Sequence, residues 1–223
     1  MSAARGYDDP CGAARALSVV GERWALLTIR ELLFGPKRFG QLRAGLHGIS
    51  PNVLSERLRE LESAGVVLHE ILPPPASVAV YSLTPRGHAL EPVLIELGRW
   101  GNQQPITSHG ELGTDALALA LKATYTPTHT TRDAVYALGL GDDWFHVEVA
   151  NGALDVRRGH PSLCTTTING STNTIRAFAF GRLSLDEAEN DGQLDIRGSR
   201  GAARRFPKLF HAPAPRPSET GRG

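Results

Sequence analysis

Leu54, Leu58 and Leu61 recur at four- and three-residue spacing, so at 100° per residue they gather on one side of a helix. Asn52, Ser55, Glu56, Arg59 and Ser63 gather on the other. Ser50 is a capping residue, Pro51 suits the first helical position, and Gly65 suits a left-handed stop. Upstream, the apolar spacing predicts helices over residues 13–20, 22–34 and 39–46. A short helix, a connection and a second amphipathic helix make a helix-turn-helix candidate. Downstream, residues 66–71 and 78–83 read as the two strands of a hairpin closed by LPPPAS, which would form a wing. Thr84-Pro85 repeats the cap-and-proline signal. The helix it starts carries Leu90, Val93, Leu94, Leu97 and Trp100 and ends at Gly101.

Residues 102–113 are polar, contain a proline and lack apolar periodicity, so they read as a linker. Beyond it the pattern predicts a helix over 114–125 and strands over 134–140 and 144–149 about the turn GLGDD. Strands follow over 154–157 and 163–168, helices over 171–180 and 184–190, a strand over 194–196 and a helix over 200–210. The fold class is α+β. The expected organisation is a DNA-binding domain over 1–101, the linker, a second domain over 114–210 and a disordered proline-rich tail over 211–223.

Composition narrows this reading. The chain has 223 residues, and its 41% hydrophobic content is enough to fill two cores. No apolar run approaches the roughly 18–20 residues that span a bilayer, and MSAARGYDDP lacks a signal-peptide core. Cys11 and Cys164 lie far apart and form no CxxC pair. A cytoplasmic protein without a membrane partner is expected. The histidines are scattered, which argues against a metal site, and no GxSxG, GxGxxG, P-loop or HExxH pattern occurs. Neither enzymatic activity nor a cofactor is therefore expected. Net charge is only +1, but within residues 37–59 Lys37, Arg38, Arg43, Arg57 and Arg59 face Glu56 alone, a local +4. Such clustering is the footprint of a phosphate-contacting surface.

The motifs CGAARALSVVGERWALLTIRELLFGPKRFGQL, GISPNVLSERLRELESAGVV and YSLTPRGHAL, in this order, resemble the HxlR-type winged helix-turn-helix regulators, relatives of the MarR group. The resemblance implies a DNA-binding homodimer whose outer helices form the interface, with double-stranded operator DNA as partner. It places Ser50, Pro51, Asn52, Ser55, Glu56 and Arg59 at the DNA. Asn can pair two-fold with adenine and Arg with guanine, while Lys37, Arg38 and Arg43 would hold the backbone. The bland alternative is the solvated face of a surface helix. Glu56 stands where the family often carries an uncharged polar residue, and the wing tip has no Lys or Arg. Repression is the expected sign.

Cys11 stands where many members of this family keep a cysteine, and several of those use it to sense oxidants or electrophiles. The chemistry needs a lowered pKa, for which a helix N-terminus and Arg15 are at hand. The alternatives are a redox switch at Cys11 and a small residue packed at the dimer interface. Cys164, inside a predicted strand, reads as a core residue. The second half resembles the sterol-carrier-protein type through VYALGLGDDWFHVEVANGALDVRRG, GRLSLDEAENDGQLDIRGS and AARRFPKLF. That resemblance implies a small sheet covered by helices around an apolar cavity. Phe145, Ile175, Phe178, Phe180 and Leu183 are candidates for the cavity wall, with an apolar small molecule as effector and ordinary core packing as the alternative. Phe178 is the expected core anchor and Phe180 the side chain nearer an opening.

Overall fold

The computed structural model describes residues 7–105, 110–129 and 131–211. The polar stretch at 106–109 and the proline-rich tail beyond His211 lie outside the described residues. The chain divides into two compact units, the first ending at Leu94 and the second beginning at Ile95.

The first unit contains α1 (Gly12–Val20), α2 (Ala25–Leu32), α3 (Phe39–Gly45), α4 (Pro51–Ser63), β1 (Val67–Ile71), β2 (Ala79–Leu83) and α5 (Pro85–His88). A further helix, α6 (Glu91–Gly101), begins there and contains the division between the units. The leucine stripe of α4 forms the floor of the core. Leu54, Leu58 and Leu61 keep no more than 1% of their surface, as do Ile29, Leu32 and Leu42 of the same unit. Ser50 accepts the Val53 N–H, and Gly65 takes the left-handed conformation at φ +67 that the stop needs. β1 and β2 pair antiparallel from Val67↔Leu83 to Ile71↔Ala79. Lys37 adds a third short edge, donating its N–H to Tyr81 and accepting the Tyr81 N–H on its own carbonyl.

Two predicted helices are interrupted. The helix expected over 22–34 starts only at Ala25, because Trp24 stands at φ +78 and its backbone turns out of the helical path. The helix expected from Pro85 to Trp100 is broken at Ala89 and Leu90. Pro92 is the physical cause. It has no N–H for the His88 carbonyl and its ring crowds that carbonyl, whereas it fits the first turn of a new helix.

The second unit holds α7 (Thr114–Thr124), β3 (Ala134–Leu140), β4 (Asp143–Ala150), β5 (Ala153–Arg158) and β6 (Thr166–Gly170). These are followed by α8 (Thr172–Ala179), α9 (Leu185–Asn190), β7 (Leu194–Gly198) and α10 (Arg200–Arg205). The strand order is β5-β4-β3-β6-β7; β3 and β6 run parallel and every other pair antiparallel. Alternation along β4 sends Phe145, Val147 and Val149 to the helix-covered face. Phe206 closes that core, with its ring 4.9 Å from Tyr136, 6.2 Å from Phe178 and 5.0 Å from Phe210. Arg158 joins α7 to the sheet edge. It pairs with buried Asp115 at 2.6 Å and with Asp143, and its guanidinium lies over the Phe145 ring.

β6 begins at Thr166, three residues later than expected. Its register with β3 runs Tyr136↔Thr166 to Leu140↔Gly170, so the ladder is spent toward Gly170. Leu163 is left 86% exposed and Cys164 is an exposed thiol rather than a core residue. The last predicted helix also shortens. α10 stops at Arg205 and a 3-10 turn follows over Phe206–Leu209, since Pro207 cannot donate to the Ala203 carbonyl.

Candidate nucleic-acid interface

α3 and α4 form the helix-turn-helix, joined through Leu46–Ser50. With the leucine stripe buried, α4 has one face left for solvent. Asn52, Glu56 and Arg59 are exposed on it, Ser55 is half-buried, and Ser50 and Pro51 open the helix at the surface. Arg59 donates through Nε to the Ser55 carbonyl at 3.3 Å, which holds its guanidinium along the helix. Asn52 keeps its donor and acceptor side by side, the pattern that adenine matches in the major groove.

The basic cluster is smaller than its count in the sequence. Lys37 was expected to contact phosphate, but its Nζ lies 2.7 Å from Glu31 Oε2, and only 13% of its side chain is exposed. Glu31 is buried and also accepts Arg30 at 2.8 Å, so Lys37 belongs to an internal ion pair. Arg57 is likewise buried and pairs with Glu60 at 2.5 Å. Arg38, Arg43 and Arg59 remain as exposed cations. Gly45 is tied to this arrangement, since a Cβ there would stand 2.1 Å from Glu31 Oε2. The charge count missed the network because Glu31 lies just outside the counted window.

The wing carries no cation at its tip. His69 instead stacks on Tyr81 across the two strands, with centroids 4.5 Å apart and ring planes nearly parallel. At the other end of α4, Arg86 donates through Nη1 to the Ala64 carbonyl at 3.0 Å, and Thr84 Oγ1 donates to the Gly65 carbonyl at 2.8 Å. These bonds satisfy backbone acceptors that a helix C-terminus leaves open. Sequence reasoning overlooked Arg86, although the TPRG stretch places it on the first turn after the wing.

Cys11 stands at the N-cap position of α1 as an exposed thiol. The Ala13 and then the Ala14 backbone N–H hold its pKa below the ordinary thiol value. Its own N–H donates to Asp9 Oδ1 at 2.8 Å. The physical cause is therefore the helix N-terminus, and Arg15 is not among the groups that lower it.

In the second unit, Phe145 and Ile175 have no accessible surface and Phe178 has 1%. A wall of a ligand-sized cavity would carry such surface, so these three side chains pack as core. Phe180 and Leu183 are half-buried beyond the end of α8. The sheet face opposite the helices bears a small groove of about 230 Å³, edged by Trp144, His160, Thr167, Asn169, Asp195 and Arg197. None of the five expected ligand residues lines it.

Residues 19–108 match the model of the HxlR-like helix-turn-helix family. Over 89 residues the chain is 40% identical to the HTH-type transcriptional regulator YvaP of Bacillus subtilis, a stretch covering 40% of this chain and 82% of that relative. The chain belongs to the HxlR-like helix-turn-helix family. This HxlR-type transcriptional regulator is also 40% identical over 88 residues to the B. subtilis regulator YodB, covering 40% of this chain and 79% of YodB. The reduced form of YodB aligns with it at TM-score 0.38 and 36% identity, over 45% of this chain and 98% of that one. Among the described residues of the HxlR-type chain, no helix is long and apolar enough to cross a membrane.

Proposed function

We propose that this HxlR-type regulator is a homodimeric repressor that reads operator DNA with α4. The observation that carries the reading is the α4 face itself. A helix anchored by three buried leucines presents Asn52 and Arg59 outward, beside the exposed Arg38 and Arg43. Base-reading residues on a rigid helix and cations at its flank are the two parts a major-groove reader needs. A dimer seated on an operator represses by occupying the site, without further parts. The test is fluorescence anisotropy on DNA that the protein itself enriches from a random pool. Asn52→Ala and Arg59→Ala should each cost about 1–3 kcal/mol on the enriched sequence and relax its preference. Wild-type affinity and preference in both variants would remove α4 as the reading helix.

The dimer reading rests on surface that the described chain leaves uncovered. α1 buries only Val20, while Leu17 is 49% exposed. On α6, Val93, Leu97 and Trp100 are 51%, 45% and 61% exposed at four- and three-residue spacing. An apolar stripe of this kind on a symmetric regulator is suited to a second copy of the same surface.

A second reading, thiol sensing at Cys11, is favoured by its exposure and its lowered pKa at the α1 N-terminus. The reading of the second unit as a sterol-carrier-type domain with an apolar effector is supported by its five-stranded sheet with helices on one face. Of the expected ligand side chains, the packing leaves Phe180 and Leu183 to serve it.

A further inference from the structure

On the open face of the second unit's sheet, Trp144, Gly139, Asn169 and Asp195 stand side by side on β4, β3, β6 and β7. Ala137, Thr167 and Arg197 form the next row, two residues along β3, β6 and β7 and therefore on the same face. The central strand thus carries alanine and glycine where its neighbours carry larger side chains. A Cβ at Gly139 would stand 2.3 Å from Asn169 Oδ1 and 3.1 Å from the Trp144 ring, so only glycine lets the indole and the amide approach across β3. Trp144, Thr167, Asn169, Asp195 and Arg197 line the groove of about 230 Å³, with His160 at its edge. One wall is aromatic and fixed. The His160 ring meets the Trp144 ring edge-on at 4.8 Å, and the Gly159 N–H donates to the Trp144 carbonyl at 2.7 Å. The other wall is polar. Asn169 offers a donor and an acceptor together, and Arg197 grips Asp195 through Nε and Nη2, both on Oδ2, so Oδ1 takes no part in that pair.

We infer that this groove binds a neutral pyranose ring. Charge decides against an anion. The one guanidinium of the lining is matched by the one carboxylate, and Arg157 on the same face is matched by Glu148 at 3.0 Å and Asp155 at 2.6 Å. No cation is left over to hold a phosphate or a carboxylate. An indole face is electron-rich and attracts the partly positive C–H bonds that a pyranose presents on one side of its ring. Around that ring run hydroxyls that both donate and accept, which Asn169, Thr167 and Asp195 Oδ1 can answer in turn. The volume lies below the roughly 300–1,000 Å³ of ordinary small-molecule sites, which fits a single ring. The site is on the sheet face away from the helices, so it is separate from an apolar effector held beneath them and independent of α4.

Saturation-transfer NMR on the full chain, with the methyl glycosides of glucose, galactose, mannose and N-acetylglucosamine as probes, tests the site without DNA. At least one glycoside should bind with a Kd below about 10 mM, and its ring C–H protons on one face should receive the strongest transfer. Trp144→Ala and Asn169→Ala should each weaken that binding by about fivefold or more. Trp144→Phe keeps an aromatic face and should recover part of the affinity, which a loss of folding would not allow. Asn169→Ala, in a half-buried side chain, keeps the test open if Trp144→Ala lowers the melting temperature. Arg157→Gln lies on the same face outside the groove and should leave the affinity unchanged. No transfer to any of the four glycosides, or binding that survives both alanine variants, overturns the site. Arg157→Gln costing as much as Trp144→Ala places the sugar elsewhere on the sheet and also overturns it. Adenine binding more tightly than every glycoside overturns the ligand class, because a planar base has no C–H face and needs only the stacking surface.

Discussion

Lys37 Nζ lies 2.7 Å from Glu31 Oε2, with 13% and 2% of the two side chains exposed. The same carboxylate accepts Arg30, and the Lys37 backbone exchanges two hydrogen bonds with Tyr81 of the wing. A cation that the sequence offers to DNA is thus spent on joining α2 to the wing. Only a buried acid brought close by folding could claim it.

This pairing separates two kinds of basic residue. Glu31→Ala strands two cations at a largely dry site and should destabilise the first unit by about 3–5 kcal/mol in urea unfolding. Lys37→Met leaves Arg30 to neutralise Glu31 and should cost less, about 1–3 kcal/mol. Lys37→Met should leave the salt dependence of DNA binding unaltered. Arg38→Ala and Arg43→Ala should do the reverse, keeping stability and lowering the slope of log affinity against log salt by about one each. A lowered slope in Lys37→Met would place that lysine at phosphate after all.

Self-association should respond to the α6 stripe. Val93→Asp combined with Leu97→Asp puts two charges on the exposed apolar face, where a partner surface would have to desolvate them. Sedimentation at micromolar concentration should show a dimer for the wild type and a monomer for the double variant, with unchanged far-UV circular dichroism. A dimer in both would move the interface away from α6.

Cys11 should be alkylated by iodoacetamide with a midpoint below that of a free thiol, because the Ala13 and Ala14 amides favour its thiolate. The sign follows directly, since a lowered pKa keeps the reactive thiolate present at a lower pH. If thiol sensing is the function, quinone treatment releases wild-type protein from DNA while Cys11→Ser stays bound. Equal behaviour of the two proteins would leave Cys11 without a regulatory role.

The second unit should lose stability on the acid side through α9. Arg200 and Arg204 hold the Asp186 carboxyl below its ordinary value, and the Ser184 hydroxyl and N–H do so for Glu187. Depressed folded-state pKa values mean that this stabilisation is complete above the unfolded carboxylate range. It is lost as pH falls through the folded values, below about pH 4. Ser184→Ala removes the hydroxyl's share, so its melting temperature should lie below that of the wild type at neutral pH, and the gap should narrow in acid to the part owed to the cap bond from the Glu187 N–H. A gap that persists undiminished at low pH would show that the Ser184–Glu187 capping box contributes nothing through charge.

The α4 helix was legible because its signals are local. The cap at Ser50, the proline after it, the leucine spacing and the stop at Gly65 each act within a few residues of the backbone they direct. The same holds for the wing, whose two strands are adjacent in the chain, and for the central strand β3, which is apolar nearly throughout. Helix interruptions were less legible. Pro92 was in plain view as a breaker, yet the apolar spacing runs through it and masks the break. The Trp24 turn places a bulky residue at φ +78, a conformation that its residue type does not announce.

Sequence by itself determined the periodic elements, the α+β class and the outward face of α4, since side-chain spacing sets which face of a helix or strand can be buried. Tertiary structure decided which charges are free. Glu31 and Lys37 stand six residues apart on different elements, and only folding brings carboxylate and ammonium together in a dry place where their attraction outweighs hydration. It also decided that Phe145, Ile175 and Phe178 fill a core instead of lining a cavity, and that Cys164 meets solvent. Periodicity reports that a face is apolar; whether packing fills the space against that face depends on the shapes that distant segments bring to it.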